Sequence, residues 1–333
     1  METKLKIEIV NSLMKYYLKK TRIPITVSYL TTNLCNQKCR YCNWTRACPD
    51  QLSTAEAVRL IRELKECGVK KLGFAGGESL CREDIGELLK CAHDCGLITS
   101  LSTNGRNVAR YIDVIKKYVD VVQISLDGPE HIHDETRGAG SFSIVMEAVK
   151  LLKLKKIKMI TNTVINKYTI RDLKFVIDMA QKNDYMALFQ PVFFYGLSEQ
   201  EDIIAKLRPS YHEMYGAMEY LKKEKRKKMP IGNSFSFFHY VQSTWNRQHR
   251  YKCYAGDLFC TLDPMGYILP CCFDSERQDT YNAVKLGFKQ AFINSAGNPF
   301  PHNCDGCYCN AYVETNMAFH LIPDVCINGL SII

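Results

Sequence analysis

The stretch Ile25-Thr26-Val27-Ser28-Tyr29-Leu30-Thr31-Thr32-Asn33-Leu34-Cys35-Asn36-Gln37-Lys38-Cys39-Arg40-Tyr41-Cys42 opens on a β-branched and aromatic run and closes on three thiols. The first part predicts a buried strand over Ile25–Thr31, and the thiols then lie in a loop beyond its carboxyl end. Three thiolates hold three irons of a four-iron cluster and leave the fourth iron open. A closed structural metal site instead takes four protein ligands.

Working outward, the same strand-then-helix alternation repeats to about Pro191. Further strands are predicted at Lys71–Ala75, Thr99–Ser102, Val121–Leu126, Met159–Val164 and Met186–Val192. Helical periods fall at Ser53–Cys67, Arg82–Cys95, Val108–Tyr118, Ser141–Lys155 and Ile170–Lys182, with a sixth at about Ser210–Lys228 before Pro230. Repeated βα units imply a parallel sheet covered by helices. Six units fall short of the eight of a closed barrel, so the expected fold is α/β, a partial (β/α)6 TIM-type barrel. Its chemistry is expected at the carboxyl ends of the strands. Residues 1–20 predict a basic amphipathic helix, with Val10, Leu13, Met14, Tyr17 and Leu18 at helical spacing, packed on the barrel; contact with a membrane surface is the rival reading. Residues 21–229 form the expected core domain. Residues 230–333, rich in aromatic, Gly and Cys residues, predict a small, loop-rich domain stapled by metal.

The chain has 333 residues, 46% of them apolar, and no apolar run reaches the roughly 18–20 residues needed to span a bilayer. Met1-Glu2-Thr3-Lys4-Leu5-Lys6 lacks a secretory pattern, so a cytoplasmic location is expected. In that compartment the 16 cysteines are read as reduced thiols. They form two groups, eight from Cys35 to Cys95 and eight from Cys253 to Cys326, which suggests two metal regions with iron–sulfur or zinc preference. A four-thiolate zinc site made by adding Cys48 to Cys35, Cys39 and Cys42 is the competing reading of the first group. The net charge of +9 is diffuse, its densest run being Lys222–Lys228 at a helix end, and no nucleic-acid partner is expected.

Motifs follow the predicted strands in order: Cys35-x3-Cys39-x2-Cys42, then Ala75-Gly76-Gly77-Glu78, Ser102-Thr103-Asn104-Gly105 and Ser125-Leu126-Asp127-Gly128. Together they resemble the radical S-adenosylmethionine (radical SAM) superfamily over roughly residues 20–200. The resemblance implies a [4Fe–4S] cluster on Cys35, Cys39 and Cys42 whose open iron takes the amino and carboxylate groups of S-adenosylmethionine. It further implies that Gly76 and Gly77 admit a close ligand, that Glu78 accepts a hydrogen bond from the methionyl ammonium, and that Tyr41 covers the adenine. Ser102, Asn104, Ser125 and Asp127 would meet the ribose or the methionyl end, and Arg137 the carboxylate. A zinc site would account for the thiols but not for these strand-end motifs.

The later segment Cys253-Tyr254-Ala255-Gly256, followed by Gly266-Tyr267-Ile268-Leu269-Pro270-Cys271 and Cys304-Asp305-Gly306-Cys307, resembles SPASM or twitch domains. That resemblance implies one auxiliary [4Fe–4S] cluster on Cys253, Cys271, Cys304 and Cys307. Cys260, Cys272, Cys309 and Cys326 would suffice for a second. Cys67, Cys81, Cys91 and Cys95 read as small core residues.

By resemblance, the chain reductively cleaves S-adenosylmethionine to a 5′-deoxyadenosyl radical that abstracts a substrate hydrogen, for oxidation or modification of a peptide, sugar or cofactor precursor. A flavodoxin or ferredoxin would donate the electron. The stretch before Ile25 holds no peptide-recognition extension, which shifts the expectation somewhat away from peptides. Epimerisation with Cys260, Cys309 or Cys326 as hydrogen donor is the alternative within this chemistry. A metal-stapled protein that senses S-adenosylmethionine or redox state is the alternative outside catalysis.

Overall fold

Apolar residues at i, i+3, i+4 and i+7 let each helix bury one stripe against the strands it connects. The computed structural model describes residues 2–42, 51–193, 201–245, 253–271, 278–295 and 307–332. In chain order, α1 (Glu2–Lys19) precedes β1 (Thr26–Leu30), α2 (Thr54–Glu66), β2 (Lys71–Ala75), α3 (Ile85–Asp94), β3 (Ile98–Thr103), α4 (Ile112–Tyr118) and β4 (Val121–Ser125). Next come α5 (Glu130–Arg137), α6 (Ser141–Leu154), β5 (Met159–Ile165), α7 (Leu173–Asn183), β6 (Met186–Pro191), α8 (Glu201–Leu207) and α9 (Tyr211–Arg226). The last part holds α10 (Phe235–Thr244), β7 (Phe259–Leu262), β8 (Ile268–Leu269), α11 (Ala283–Leu286), α12 (Phe288–Ser295), α13 (Asn310–Phe319) and α14 (Pro323–Ile332).

Strands β1 to β6 pair in sequence order and all in parallel, giving the expected partial TIM-type barrel. Alternate side chains face outward into the helix layer: Val27 and Tyr29, Leu72 and Phe74, Val122 and Ile124, Ala187 and Phe189 are fully buried. Helices α2, α3 and α7 meet them with Leu60, Ile61 and Leu64, with Leu88, Leu89 and Ala92, and with Val176, Ile177 and Ala180. The other strand face is polar and only partly buried, with Ser28, Ser100, Ser102, Gln123, Ser125 and Asn162. That period-two split makes the inside of the barrel a hydroxyl- and amide-lined space rather than a second apolar core.

Three features depart from the sequence reading. The short α5 carries one strongly apolar side chain, Ile132, and buries His133, Thr136 and Arg137 instead, so no apolar period announces it. Beyond Pro230 the chain is more helical than the loop-rich expectation. Helix α10 buries Phe237, Phe238 and Val241, and α12 buries Phe288, Ala291 and Phe292. Aromatic side chains bury enough area to hold helices of two or three turns, too short for a period to show in the sequence. Finally, β7 extends the barrel sheet by pairing in parallel with β1, and β8 returns antiparallel beside it. Cys260, Leu262, Ile268, Phe237 and Phe288 therefore share one apolar core with the barrel.

Helix α1 packs on the edge of the barrel, beside Ile25 and with Glu8 paired to Lys70 at 2.7 Å, and on the C-terminal region. It buries Leu13 and Tyr16 among Tyr254, Leu258, Phe259 and Phe319, and the Tyr16 hydroxyl donates to Asp257 Oδ2 at 2.6 Å. Val10, Met14 and Leu18 stay exposed. Among the described residues, no helix is long and apolar enough to cross a membrane.

Candidate active site at the carboxyl ends of the strands

The loop that leaves β1 is pinned by the ends of the next three strands. Gly77 N–H donates to Thr32 O and Glu78 N–H to Leu34 O, each at 2.8 Å. A Cβ at Gly77 would stand 2.2 Å from Leu34 O, and one at Gly76, where φ is +116°, would stand 2.6 Å from Thr32 O. Only glycine permits this approach. The backbone that comes so close is the entry to the cysteine loop, so the glycine pair serves first to seat that loop.

Glu78 is 2% exposed. Its Oε1 accepts from Thr103 Oγ1 at 2.9 Å and Leu80 N–H at 3.1 Å, and its Oε2 from Asn104 N–H at 2.7 Å. Burial raises its pKa, and these donors offset part of the rise. A carboxylate has about four lone-pair sites, so one remains for a further donor. Asn104 reaches the loop directly, donating from Nδ2 to Asn36 Oδ1 at 2.7 Å and lying 4.0 Å from Cys35 Sγ.

The opposite wall is a buried ion pair. Asp127 is fully buried and receives Arg137 Nε at 2.6 Å, Tyr41 Oη at 2.9 Å and Val164 N–H at 2.9 Å. Burial opposes its charge, but Arg137 and these donors hold the carboxyl below its ordinary range. The remaining edge of the Arg137 fork lies 3.9 Å from Cys39 Sγ, and its guanidinium stands 5.4 Å over the Tyr41 ring. Arg40 N–H donates to Thr136 O at 2.9 Å, so α5 grips the loop at both backbone and side chain. His133 Nδ1 accepts from Asp127 N–H, and burial and Arg137 push its pKa down to about 4, which keeps the ring neutral.

Thus Asn104 meets the three-cysteine loop at Asn36, Asp127 meets it at the loop's own Tyr41, and Arg137 lies against its Cys39. Ser102 and Ser125 lie on the inward strand face, half-buried. Cys42 N–H donates to Cys39 O at 3.1 Å, a turn that carries both thiols on one short arc. The structure corrects the expectation that Cys81 is a core residue: it is only partly buried and lies outside the apolar cluster that takes in Cys67, Cys91 and Cys95. On the short turn after Glu78 it lies within electrostatic reach of Glu78 and Cys35, and burial lifts its thiol to about 11. No spacing rule marks it, because only the folded turn brings it there.

Of the second group, Cys253 and Cys271 pack in one apolar cluster with Tyr254 and Phe259, and both lie within electrostatic reach of Cys307. Burial pushes the Cys307 thiol well up, and Cys309, Cys253 and Cys271 add to the rise through their charge. Cys304, Cys272 and Cys48 lie outside the described residues. Cys260 instead sits at 0% exposure in the main core beside Cys67, and Cys326, on α14, rests against Ala318 O of α13. Asn310, which begins α13, ties this region to the barrel: its N–H donates to Gln190 Oε1 at 3.1 Å and its Nδ2 to Asn162 Oδ1 at 2.8 Å.

Among the described residues, no three His, Cys, Asp or Glu side chains are already drawn around one point as metal ligands. The donor chemistry nonetheless fits a four-iron cluster: three soft thiols on one backbone-pinned loop, with the Arg137 cation against Cys39 to balance thiolate charge.

Residues 29–180 match the radical SAM superfamily. Three solved structures share the fold. Streptococcus suis SuiB bound to S-adenosylmethionine superposes with a TM-score of 0.68 at 17% identity, covering 91% of this chain and 76% of that one. The same protein bound to precursor peptide SuiA gives 0.68 at 16%, covering 92% and 76%. Native anSMEcpe with bound AdoMet and Cp18Cys peptide gives 0.63 at 17%, covering 92% and 99%. The cysteine loop and the strand-end motifs all fall within the matched residues 29–180, which form a radical SAM domain, and the parallel partial barrel is the fold these solved structures share.

Proposed function

We propose that this chain reductively cleaves S-adenosylmethionine and abstracts a hydrogen atom from a peptide substrate, with an auxiliary cluster in its C-terminal region. The observation that carries the reading is the meeting of the Cys35–Cys42 loop with Glu78, Asn104, Asp127 and Arg137 at one end of the sheet. Cys35, Cys39 and Cys42 would hold the first [4Fe–4S] cluster. When bound, that cluster supplies the electron that splits the sulfonium into methionine and a 5′-deoxyadenosyl radical, which takes a substrate hydrogen atom.

The protein's part is placement and exclusion of water. Glu78 has one acceptor site left for the methionyl ammonium, and the Gly76–Gly77 backbone holds the loop at a fixed distance from it. Arg137 is committed to Asp127, so its role is to brace Tyr41 and Cys39 and to lend positive charge beside the thiolates. Ser102 and Ser125 offer hydroxyls from the inward strand face. Cys253, Cys271 and Cys307, with Cys304, would hold the auxiliary cluster in a SPASM or twitch-like arrangement. The peptide class is favoured because SuiB and anSMEcpe, which share the fold, are each seen with a peptide.

After hydrogen abstraction the substrate radical either gives up an electron, the oxidative course, or regains a hydrogen atom from a thiol. Cys260 is sealed in the core and does not suit the second course, which leaves Cys309 and Cys326 as donors. Anaerobic reconstitution followed by dithionite and S-adenosylmethionine tests the central claim: 5′-deoxyadenosine forms even without peptide. Its absence from a sample with full iron content would overturn the reading in favour of a cofactor-sensing protein.

A further inference from the structure

Arg82, Arg137 and Arg208 are arginines whose surroundings strip away water, and two of them are neutralised. Arg82 pairs with Asp84 at 2.6 Å, and Arg137 pairs with Asp127 at 2.6 Å. Arg208 differs. Its guanidinium lies 4.3 Å from the Trp245 ring centroid, and its Nε is buried without a hydrogen-bond partner. Among the described residues it pairs with no carboxylate; the titratable group facing it is Tyr308, and desolvation lowers its pKa. An arginine can lean on an aromatic face for part of its stability, but a buried N–H left unbonded costs free energy. The cation has no carboxylate partner among the described residues, so a ligand that reaches its terminal nitrogens would supply the missing counter-charge.

Its position gives that ligand a meaning. Leu207, the preceding residue, packs with Val164, Val192 and Tyr41, and Leu207 O accepts from Lys167 N–H at 2.9 Å. Arg208 is therefore anchored where β5 and β6 end, next to the side chain that leans on Asp127. On the other side, Tyr308 stacks edge-on against Trp245 at 4.9 Å and follows Cys307, whose carbonyl accepts from Tyr240 Oη at 3.0 Å. Trp245 is itself fixed, donating from Nε1 to Pro209 O at 3.1 Å. The guanidinium thus stands on an aromatic wall that neighbours Tyr41 through Leu207 and Cys307 through Tyr308. Trp245 occupies one face and Nε is shut off from solvent, so a planar carboxylate meets the two terminal nitrogens of the fork.

We propose that Arg208, seated on Trp245 beside Tyr308, is the recognition site for a carboxylate of the substrate; this rests on the peptide reading above. The carboxylate can come from an acidic side chain or from a free peptide C-terminus, and the experiment separates the two. The reconstituted protein labelled with 5-fluorotryptophan gives two fluorine resonances, from Trp44 and Trp245, assigned by replacing Trp44 with Phe. It is titrated with Ac-Ala-Glu-Ala-NH2, with Ac-Ala-Gln-Ala-NH2, and with Ac-Ala-Gln-Ala bearing a free C-terminal carboxylate.

We expect the Trp245 resonance to move saturably with a carboxylate-bearing peptide, at an apparent affinity roughly tenfold or more above that for the neutral one. A response to the first peptide assigns a side-chain carboxylate, and a response to the third a C-terminal one. Arg208→Gln abolishes the shift, and Arg208→Lys, which keeps the charge but loses the fork, retains a weakened one. Equal responses to all three peptides, no response to any, or an undiminished response in folded Arg208→Gln would overturn the assignment. Because the readout is a resonance and not turnover, loss of 5′-deoxyadenosine formation would sink the function proposed above while leaving this result interpretable.

Discussion

The thiols of the barrel loop and those of the C-terminal region differ in how far along the chain they are collected. Cys35, Cys39 and Cys42 lie on one short arc, and strand ends pin the backbone of that arc. Cys253, Cys271 and Cys307 come from three separate segments, whose placement depends on β7 and β8 joining the sheet and on α13 docking on β5 and β6. The first group depends on local backbone geometry, the second on tertiary packing. A change near the first should therefore act on chemistry at once, and a change near the second should act through the fold or through one cluster alone.

The largest contrast is expected from single ligands. Cys35→Ala should abolish 5′-deoxyadenosine formation, while Cys307→Ala should keep it and lower iron from about eight to about four per chain. Comparable loss of cofactor cleavage in both variants would break the distinction. Next in size, Asp127→Asn leaves Arg137 buried without its counter-charge, a loss of roughly 3–5 kcal/mol in unfolding free energy. Denaturant titration measures it; a change under about 1 kcal/mol would mean the pair does not brace the loop. Gly77→Ala forces the loop backbone at Leu34 to shift, costing roughly 1–3 kcal/mol and reducing iron at the first site while the C-terminal iron stays.

The smallest effect is a difference of sign with pH. Asp127 has a depressed folded pKa, so its contribution is present above its unfolded pKa and is lost as pH falls through the folded value. Glu314 on α13 runs the other way. Burial lifts its pKa to about 7, helped by Asp324 and opposed by Lys225 and by the Ser234 N–H it accepts at 2.8 Å. The folded state then holds a proton that the unfolded state has released, so stability falls as pH rises through about 7. Relative to Glu314→Gln, wild type should lose about 1 kcal/mol between pH 6 and 8, read from paired denaturation curves. Parallel curves for the two proteins would remove Glu314 as the cause.

The barrel was legible because its strands are β-branched runs and its helices carry regular apolar stripes. Met159–Ile165 and Lys71–Ala75 needed no tertiary information. Helix α5 was not legible, since its buried residues are His133, Thr136 and Arg137, chosen for the ion pair rather than for apolar contact. Strand β7, Phe-Cys-Thr-Leu, is buried on both faces and shows no alternation. Among site residues, the motif positions could be placed because each follows a strand. The pairing of Arg137 with Asp127, the approach of Cys81 to Cys35 and the exposed need of Arg208 arise only from side chains distant in sequence.

The seam between β1 and β7 has a consequence for how the protein is made. Thr26 pairs with Phe259, about 230 residues later, and such distant pairings are slow to form because chain closure must come first. During synthesis one edge of β1 stays unpaired until the ribosome has released Leu262, with the Cys35 loop hanging from that strand's end. The unfinished barrel thus presents an open strand edge and soft thiols at the same place and time. On the proposed cluster reading, delivery of iron to that loop and closure of the seam would fall in the same interval of synthesis.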